Sequence, residues 1–221
     1  MTSTFERVSR DPGFKELFKL ARHRDLPNNH VLIAEGAKPG HLYLIVSGLV
    51  AVRHSGARGP ELLLAYLYPG DFFGEMCLFP GVESRSAMIK TAADCALLEI
   101  AYQPFVELTR KYPSLWLELA GQLAHRLRTT NHRLAEMPAL HAADRLWLVI
   151  AEMASKIDLR AGAESRTIRI TRQDLGKIAG CSRELAGMIL KDFAKAGRIS
   201  VNGKTIVIPE SSLTVQADRT G

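Results

Sequence analysis

Residues 114–137, SLWLELAGQLAHRLRTTNHRLAEM, constrain the fold more than any other stretch. Apolar or small residues fall at Trp116, Ala120, Leu123, Leu127, Thr130, Leu134 and Met137, in alternating steps of four and three. That is a heptad seam sustained for three repeats, and so narrow a stripe wants a second helix against it. The simplest partner is its own copy in a homodimer. Pro113 and Ser114 open the run and Pro138 closes it. The competing reading is a core helix inside one domain. Polar residues at 126–133 favour the seam, because arginine, threonine and asparagine beside a seam set register or meet a ligand.

The chain changes character on either side of this helix. Residues 1–25 read as a helical lead, with Phe14, Leu17, Phe18 and Ala21 on one face. Short β runs follow at 31–34, 42–46, 49–52, 62–68, 86–90 and 95–100, separated by turn residues such as Pro69, Gly70 and Asp71. Six or more strands at this spacing imply an antiparallel sandwich or barrel. A short helix over 103–111 leads into the seam. Beyond Pro138 a helix is expected over 142–156, then a Gly-containing loop near 160–166, a strand at 168–170, two short helices and a hairpin turning at Asn202 and Gly203. The tail after Glu210 reads as disordered.

The two short helices carry a specific pattern. Thr171 and Asp174 form a capping box, Gly180 supplies a turn, and Ser182 caps the next helix. Ala186, Ile189, Leu190 and Phe193 make one inward face, which turns Glu184, Met188, Lys191 and Lys195 outward. Two helices, a glycine turn and a hairpin make a winged helix-turn-helix. Arg183, in the first turn of the second helix, has the donors to read guanine, and Glu184 can accept from cytosine. Charge agrees: residues 139–221 hold 13 Lys/Arg against 9 Asp/Glu and carry +4 of the chain's +6.

ITRQDLGKIAGCSRELAGMILKDF followed by ISVNGKTIVI resembles the helix-turn-helix of the cyclic-AMP receptor protein (CRP/FNR, catabolite activator) family. Upstream, GHLYLIVSGLVAV, PGDFFGEMCLF and SRSA resemble that family's β-roll and nucleotide cassette, so the likeness spans about residues 30–208. It implies an α+β chain: a β-roll domain over 1–112, a dimerisation helix and hinge over 113–138, and a winged helix-turn-helix domain over 139–221. It further implies a homodimeric transcription regulator on a roughly palindromic operator in double-stranded DNA, with RNA polymerase as a further partner.

The resemblance also assigns an effector site. A cyclic phosphate needs a cation with hydroxyl or amide donors, and a ribose hydroxyl needs a carboxylate. On the family's pattern Gly74 and Glu75 meet the ribose, and Arg85 with Ser86 clamps the phosphate. Arg126 matches an arginine near the phosphate, and Thr130 the threonine that meets the adenine amino group. Asn131 stands where the family has a serine from the partner subunit. Cyclic AMP is the first expectation, ahead of cyclic GMP or a cyclic dinucleotide. Taken alone, without the resemblance, Glu75 and Arg85 read first as a salt bridge. For DNA, Arg172, Gln173, Ser182, Arg183, Glu184, Lys191 and Lys204 are the expected contacts. Met188 departs from a family arginine that reads a base, and Leu185 from a threonine that contacts the DNA backbone.

Other classes are less well supported. Three cysteines, Cys77, Cys95 and Cys181, fall short of the four thiolates that an iron–sulfur cluster usually needs. Cys77 with a nearby histidine leaves a weak haem alternative, and no metal is expected. There is no nucleophile–base grouping, HExxH or Walker loop, so an enzyme is not expected. No apolar run approaches the roughly 20 residues of a spanning helix, and the N-terminus lacks a signal-peptide pattern. A cytoplasmic protein that does not associate with membranes follows. The remaining alternative is a nucleotide-binding interaction module that does not touch DNA.

Overall fold

The computed structural model describes residues 11–55, 62–136, 141–156 and 164–214. The chain divides into two compact units, one ending at Asn131 and the other beginning at His132. In chain order the first holds α1 (Pro12–Leu20), β1 (Arg22–Leu26), β2 (Val31–Ile33), β3 (His41–Ser47), β4 (Val50–His54), β5 (Leu62–Leu67), β6 (Phe72–Phe73), β7 (Met88–Thr91), β8 (Cys95–Ala101) and α2 (Tyr102–Lys111). The long helix α3 (Ser114–Glu136) starts in this unit and crosses the division.

Two antiparallel four-stranded sheets, ordered β1-β8-β3-β6 and β2-β7-β4-β5, build the β-roll. The period of two along a strand explains why β3 is apolar almost throughout. Leu42 and Leu44 face Phe14, Leu17, Phe105, Leu115 and Leu119 on the helices, while Tyr43 and Ile45 face Val50, Leu67 and Ile89 of the second sheet. The pair at β6 divides likewise: Phe72 joins the helical cluster and Phe73 the inter-sheet one. Two strands were hidden from the sequence. Residues 22–26, expected within a helical lead, pair with β8 because Ala21 ends α1 in an extended conformation. The two-residue β6 is too short to show any period, yet pairs with β3.

The heptad stripe is shared between two environments. Trp116 and Leu123 pack onto the β-roll's own helical cluster, beside the fully buried Leu115 and Leu119. Leu127 is 61% exposed and Ala120 is exposed. At about 100° per residue the stripe straddles the edge of the buried face, so part of it serves the domain interior. An outward strip that includes Ala120 and Leu127 also carries Leu117 (75% exposed), Ala124 and Asn131. The expected seam members Leu134 and Met137, and Pro138, lie outside the described side chains.

The second unit holds α4 (Ala142–Ser155), β9 (Ser165–Arg169), α5 (Arg172–Ala179), α6 (Arg183–Lys195), β10 (Ser200–Asn202), β11 (Thr205–Pro209) and α7 (Glu210–Thr214). Its sheet is ordered β10-β11-β9. The tail expected to be disordered begins instead with α7, where Glu210 receives two 2.9 Å bonds from Arg166. Most of the loop expected near 160–166 lies outside the described residues. Trp147 is fully buried, edge-on to Phe193 at 5.5 Å, with the Arg198 guanidinium 3.8 Å above its ring. Trp147→Ala is expected to destabilise this unit by about 3–5 kcal/mol, read as an earlier unfolding transition in guanidinium.

Candidate effector and DNA sites

The effector-site candidates are organised by α3. Gln122 acts as a detached strand edge: its Nε2 donates to the Gly70 carbonyl at 2.8 Å, and its Oε1 accepts from the Phe72 amide at 2.8 Å. One turn later Arg126 donates to the Phe72 carbonyl and, at 3.2 Å, to Glu75 Oε1. Asp71 stands 4.0 Å from the same guanidinium. Two residues four apart on one helix face thus hold the turn that leads from β6 into Gly74 and Glu75. Sequence reasoning missed Gln122. Its one signal was its position four residues before Arg126.

Arg85 lies on the other side of Gly74 and is 7% exposed. Its Nη1 donates to the Gly74 carbonyl at 2.7 Å and to Tyr102 Oη at 2.8 Å, and its Nη2 donates to the His41 carbonyl at 2.8 Å. Tyr102 Oη itself donates to the Gly74 carbonyl at 2.6 Å. Burial pushes the Tyr102 hydroxyl above its usual range, against the pull of the nearby Arg85 charge, so it stays a donor at neutral pH. Among the described residues no carboxylate lies within ion-pair distance of Arg85; Glu75 belongs to Arg126 instead. The Glu75–Arg85 salt bridge that the sequence allowed is therefore not formed. A guanidinium has five N–H donors, and these contacts use three. What remains is a buried cation facing only neutral acceptors, with donors to spare.

Gly74 is required where it stands. Its φ is +78°, and a Cβ there would sit 2.8 Å from Arg85 Nη1. Ser86 is exposed, with its hydroxyl 3.4 Å from Met76 Sδ. Thr130, one turn beyond Arg126, and Asn131, on the outward strip, are exposed. The structure thus gathers Gly74, Glu75, Arg85 and Arg126 around one turn, and leaves Thr130 and Asn131 open on α3. Among the described residues no group of three or more His, Cys, Asp or Glu is placed to hold a metal ion. Cys77 Sγ donates to the Ser84 carbonyl at 3.4 Å.

In the second unit the expected caps are present. Thr171 Oγ1 accepts from the Asp174 amide at 3.0 Å, and Ser182 Oγ from the Leu185 amide at 3.1 Å. Gly180 is left-handed at φ +66°, and Arg145 donates to the Ala179 and Gly180 carbonyls, closing the end of α5. A Cβ at Gly176 would meet the Cys181 carbonyl at 2.8 Å, so the turn backbone folds back too closely on α5 for any side chain there. Arg172, Gln173, Ser182, Arg183, Glu184, Lys191 and Lys204 are all exposed.

Arg126 is the ion-pair partner of the buried Glu75, so Arg126→Met leaves an uncompensated carboxylate. A loss of about 2 kcal/mol is expected, discounted for the partial exposure of Arg126. Adding Glu75→Gln should recover part of it, which urea unfolding of both variants checks.

Comparison with known proteins agrees with this geometry. A profile of the cyclic nucleotide-binding domain matches residues 23–112, and one of the Crp-like helix-turn-helix domain matches residues 144–212. The chain is 35% identical over 198 residues to the cAMP-activated global transcriptional regulator CRP of Salmonella typhimurium, covering 90% of this chain and 94% of that protein. It is 32% identical to the cAMP-activated global transcriptional regulator Vfr of Pseudomonas aeruginosa, over 91% and 97% of the two chains. Among solved structures, the c-di-GMP responsive global regulator CLP of Xanthomonas campestris matches at 29% identity with a TM-score of 0.74, covering 90% of this chain and 99% of that one. A cyclic nucleotide-binding β-roll followed by a winged helix-turn-helix, matched along both chains' length, makes this protein a member of the CRP/FNR family of DNA-binding transcription regulators.

Proposed function

We propose that this regulator is a homodimer whose effector is a cyclic nucleotide, cyclic AMP ahead of cyclic GMP or a cyclic dinucleotide, and that no metal takes part. The observation that carries the reading is the state of Arg85: a buried guanidinium held by two carbonyls and a phenol, with no counter-ion among the described residues. A cation so placed favours an anion strongly, because burial weakens the screening water provides. Ser86 would add a hydroxyl to the phosphate. Glu75 would accept from a ribose hydroxyl through the carboxylate oxygen that Arg126 does not engage. Thr130 and Asn131 would meet the base, Asn131 from the partner's outward strip. The cAMP-activated relatives support cyclic AMP; the c-di-GMP responsive relative is the reason a dinucleotide stays second.

Domain roles follow the same proposal. The β-roll over 1–112 receives the effector, residues 113–138 supply dimerisation and hinge, and 139–221 binds operator DNA. In that last part α6 enters the major groove, with Arg183 and Glu184 at base edges. Arg172, Gln173, Ser182, Lys191 and Lys204 hold the adjoining backbone. RNA polymerase would be the downstream partner, and the cytoplasm the setting. No helix among the described residues is long and apolar enough to cross a membrane.

Isothermal titration against cyclic AMP, cyclic GMP and cyclic di-GMP tests the effector. Cyclic AMP should bind most tightly, and Arg85→Ala should weaken it by about 2–4 kcal/mol with the fold intact. Equal affinity in that variant would remove the site. The dimer proposal rests on the outward strip of α3. Leu127→Glu should place like charges across the interface and yield monomer or aggregate by light scattering; a stable dimer would contradict it.

A further inference from the structure

The outward side of α6 contains an apolar feature that neither the fold nor a backbone contact explains. Its inward face is fully spoken for by Ala186, Ile189, Leu190 and Phe193. On the other side Met188 is 62% exposed and Leu185 37% exposed. Residues three apart on a helix are neighbours, about 5–6 Å between Cβ atoms, so the two form one small apolar knob. Charged side chains surround it: Arg183, Glu184, Lys191, Asp192 and Lys195 on the same helix, and Arg172 on α5, whose Cδ lies beside Gly187. A rim with four cations to two carboxylates is net positive and suits a polyanion better than an apolar protein surface.

We propose that Leu185 and Met188 read thymine C5-methyl groups, so that part of the operator is specified by methyl contact and not by hydrogen bonds. The inference rests on the proposed placement of α6 in the major groove. The floor of that groove offers donors and acceptors at every base pair, and one apolar group, the thymine methyl. Leucine has no donor or acceptor and methionine only a weakly accepting thioether, so neither side chain reads a polar base edge well. Both lie in the half of the helix that carries Arg183 and Glu184, where base edges are within reach. Methionine's flexible stem suits an irregular apolar contact. Leu185 and Met188 therefore set which thymines the half-site requires, while Arg183 sets a guanine.

The test begins with selection of duplexes from a random library by the full-length protein, with and without each of the three cyclic nucleotides. Each thymine of the best duplex is then replaced by deoxyuridine, which removes only the methyl. Parent, Leu185→Ala and Met188→Ala are titrated on the series. At one or two thymines per half-site the replacement should weaken the parent by about 4-fold, the equivalent of one lost methyl contact. At each such thymine, either Leu185→Ala or Met188→Ala should show no further loss. Both side chains are exposed, so thermal melting of the variants should match the parent, and reduced DNA affinity then reports contact. Uracil duplexes bound as tightly as the thymine duplex by the parent overturn the proposal. So does a uracil penalty that persists in both variants. Failure to enrich any duplex overturns it together with the DNA-binding reading, whereas enrichment without a methyl effect overturns it alone.

Discussion

The grip of α3 on the turn after residue 69 is the contact on which the rest of the first unit's chemistry depends. Gln122 satisfies the backbone of Gly70 and Phe72 from the side, and Arg126 spans from the Phe72 carbonyl to the Glu75 carboxylate. A turn at the end of a two-residue strand has few ladder bonds to fix it, so these side chains supply what the sheet does not. The consequence is mechanical: Phe72 and Glu75 cannot shift without moving the helix, or without breaking a charge-assisted bond. In the proposed reading, a ligand at Glu75 therefore acts directly on the element that leads out of the domain.

In the proposed reading, Arg85 supplies the opposite half of the site. A charged group this buried is costly unless well bonded. The cost is met by carbonyl dipoles at Gly74 and His41 and by the Tyr102 hydroxyl, which leaves its full positive charge uncancelled. Gly74 makes the arrangement possible, since a side chain there would drive the guanidinium out of place. Tyr102 ties the cation to the start of α2. In the proposed reading these neutral groups hold Arg85 ready for an anion, whereas Glu75 is already paired with Arg126.

The second unit solves a different problem, holding two short helices at a fixed angle. Close approach at Gly176, a left-handed Gly180, and Arg145 on the last carbonyls of α5 lock the turn, while Trp147 packs edge-on to Phe193 with Arg198 over both rings. The inward face of α6 is occupied by Ala186, Ile189, Leu190 and Phe193, so the core is built without Met188, which is 62% exposed.

Much of this was legible in the sequence, because local rules set it. The caps at Thr171 and Ser182, the Gly180 turn, the Asn202–Gly203 hairpin and the alternation along 42–46 depend on residues within a few positions of one another. The motif around Gly74, Glu75, Arg85 and Ser86 was equally plain through its resemblance. What the tertiary structure alone decided are pairings between residues far apart in the chain. Glu75 binds Arg126, 51 residues away, and not Arg85, because α3 brings a guanidinium to it while Arg85 turns toward carbonyls. The stripe on α3 read as a single seam because a helical period cannot say what faces it. The β-roll takes Trp116 and Leu123 for its own core and leaves Leu117, Ala120, Ala124 and Leu127 outside. The strand at 22–26 stayed hidden for the same reason: RHRDL has no period of its own, and only the edge of β8 makes it extended.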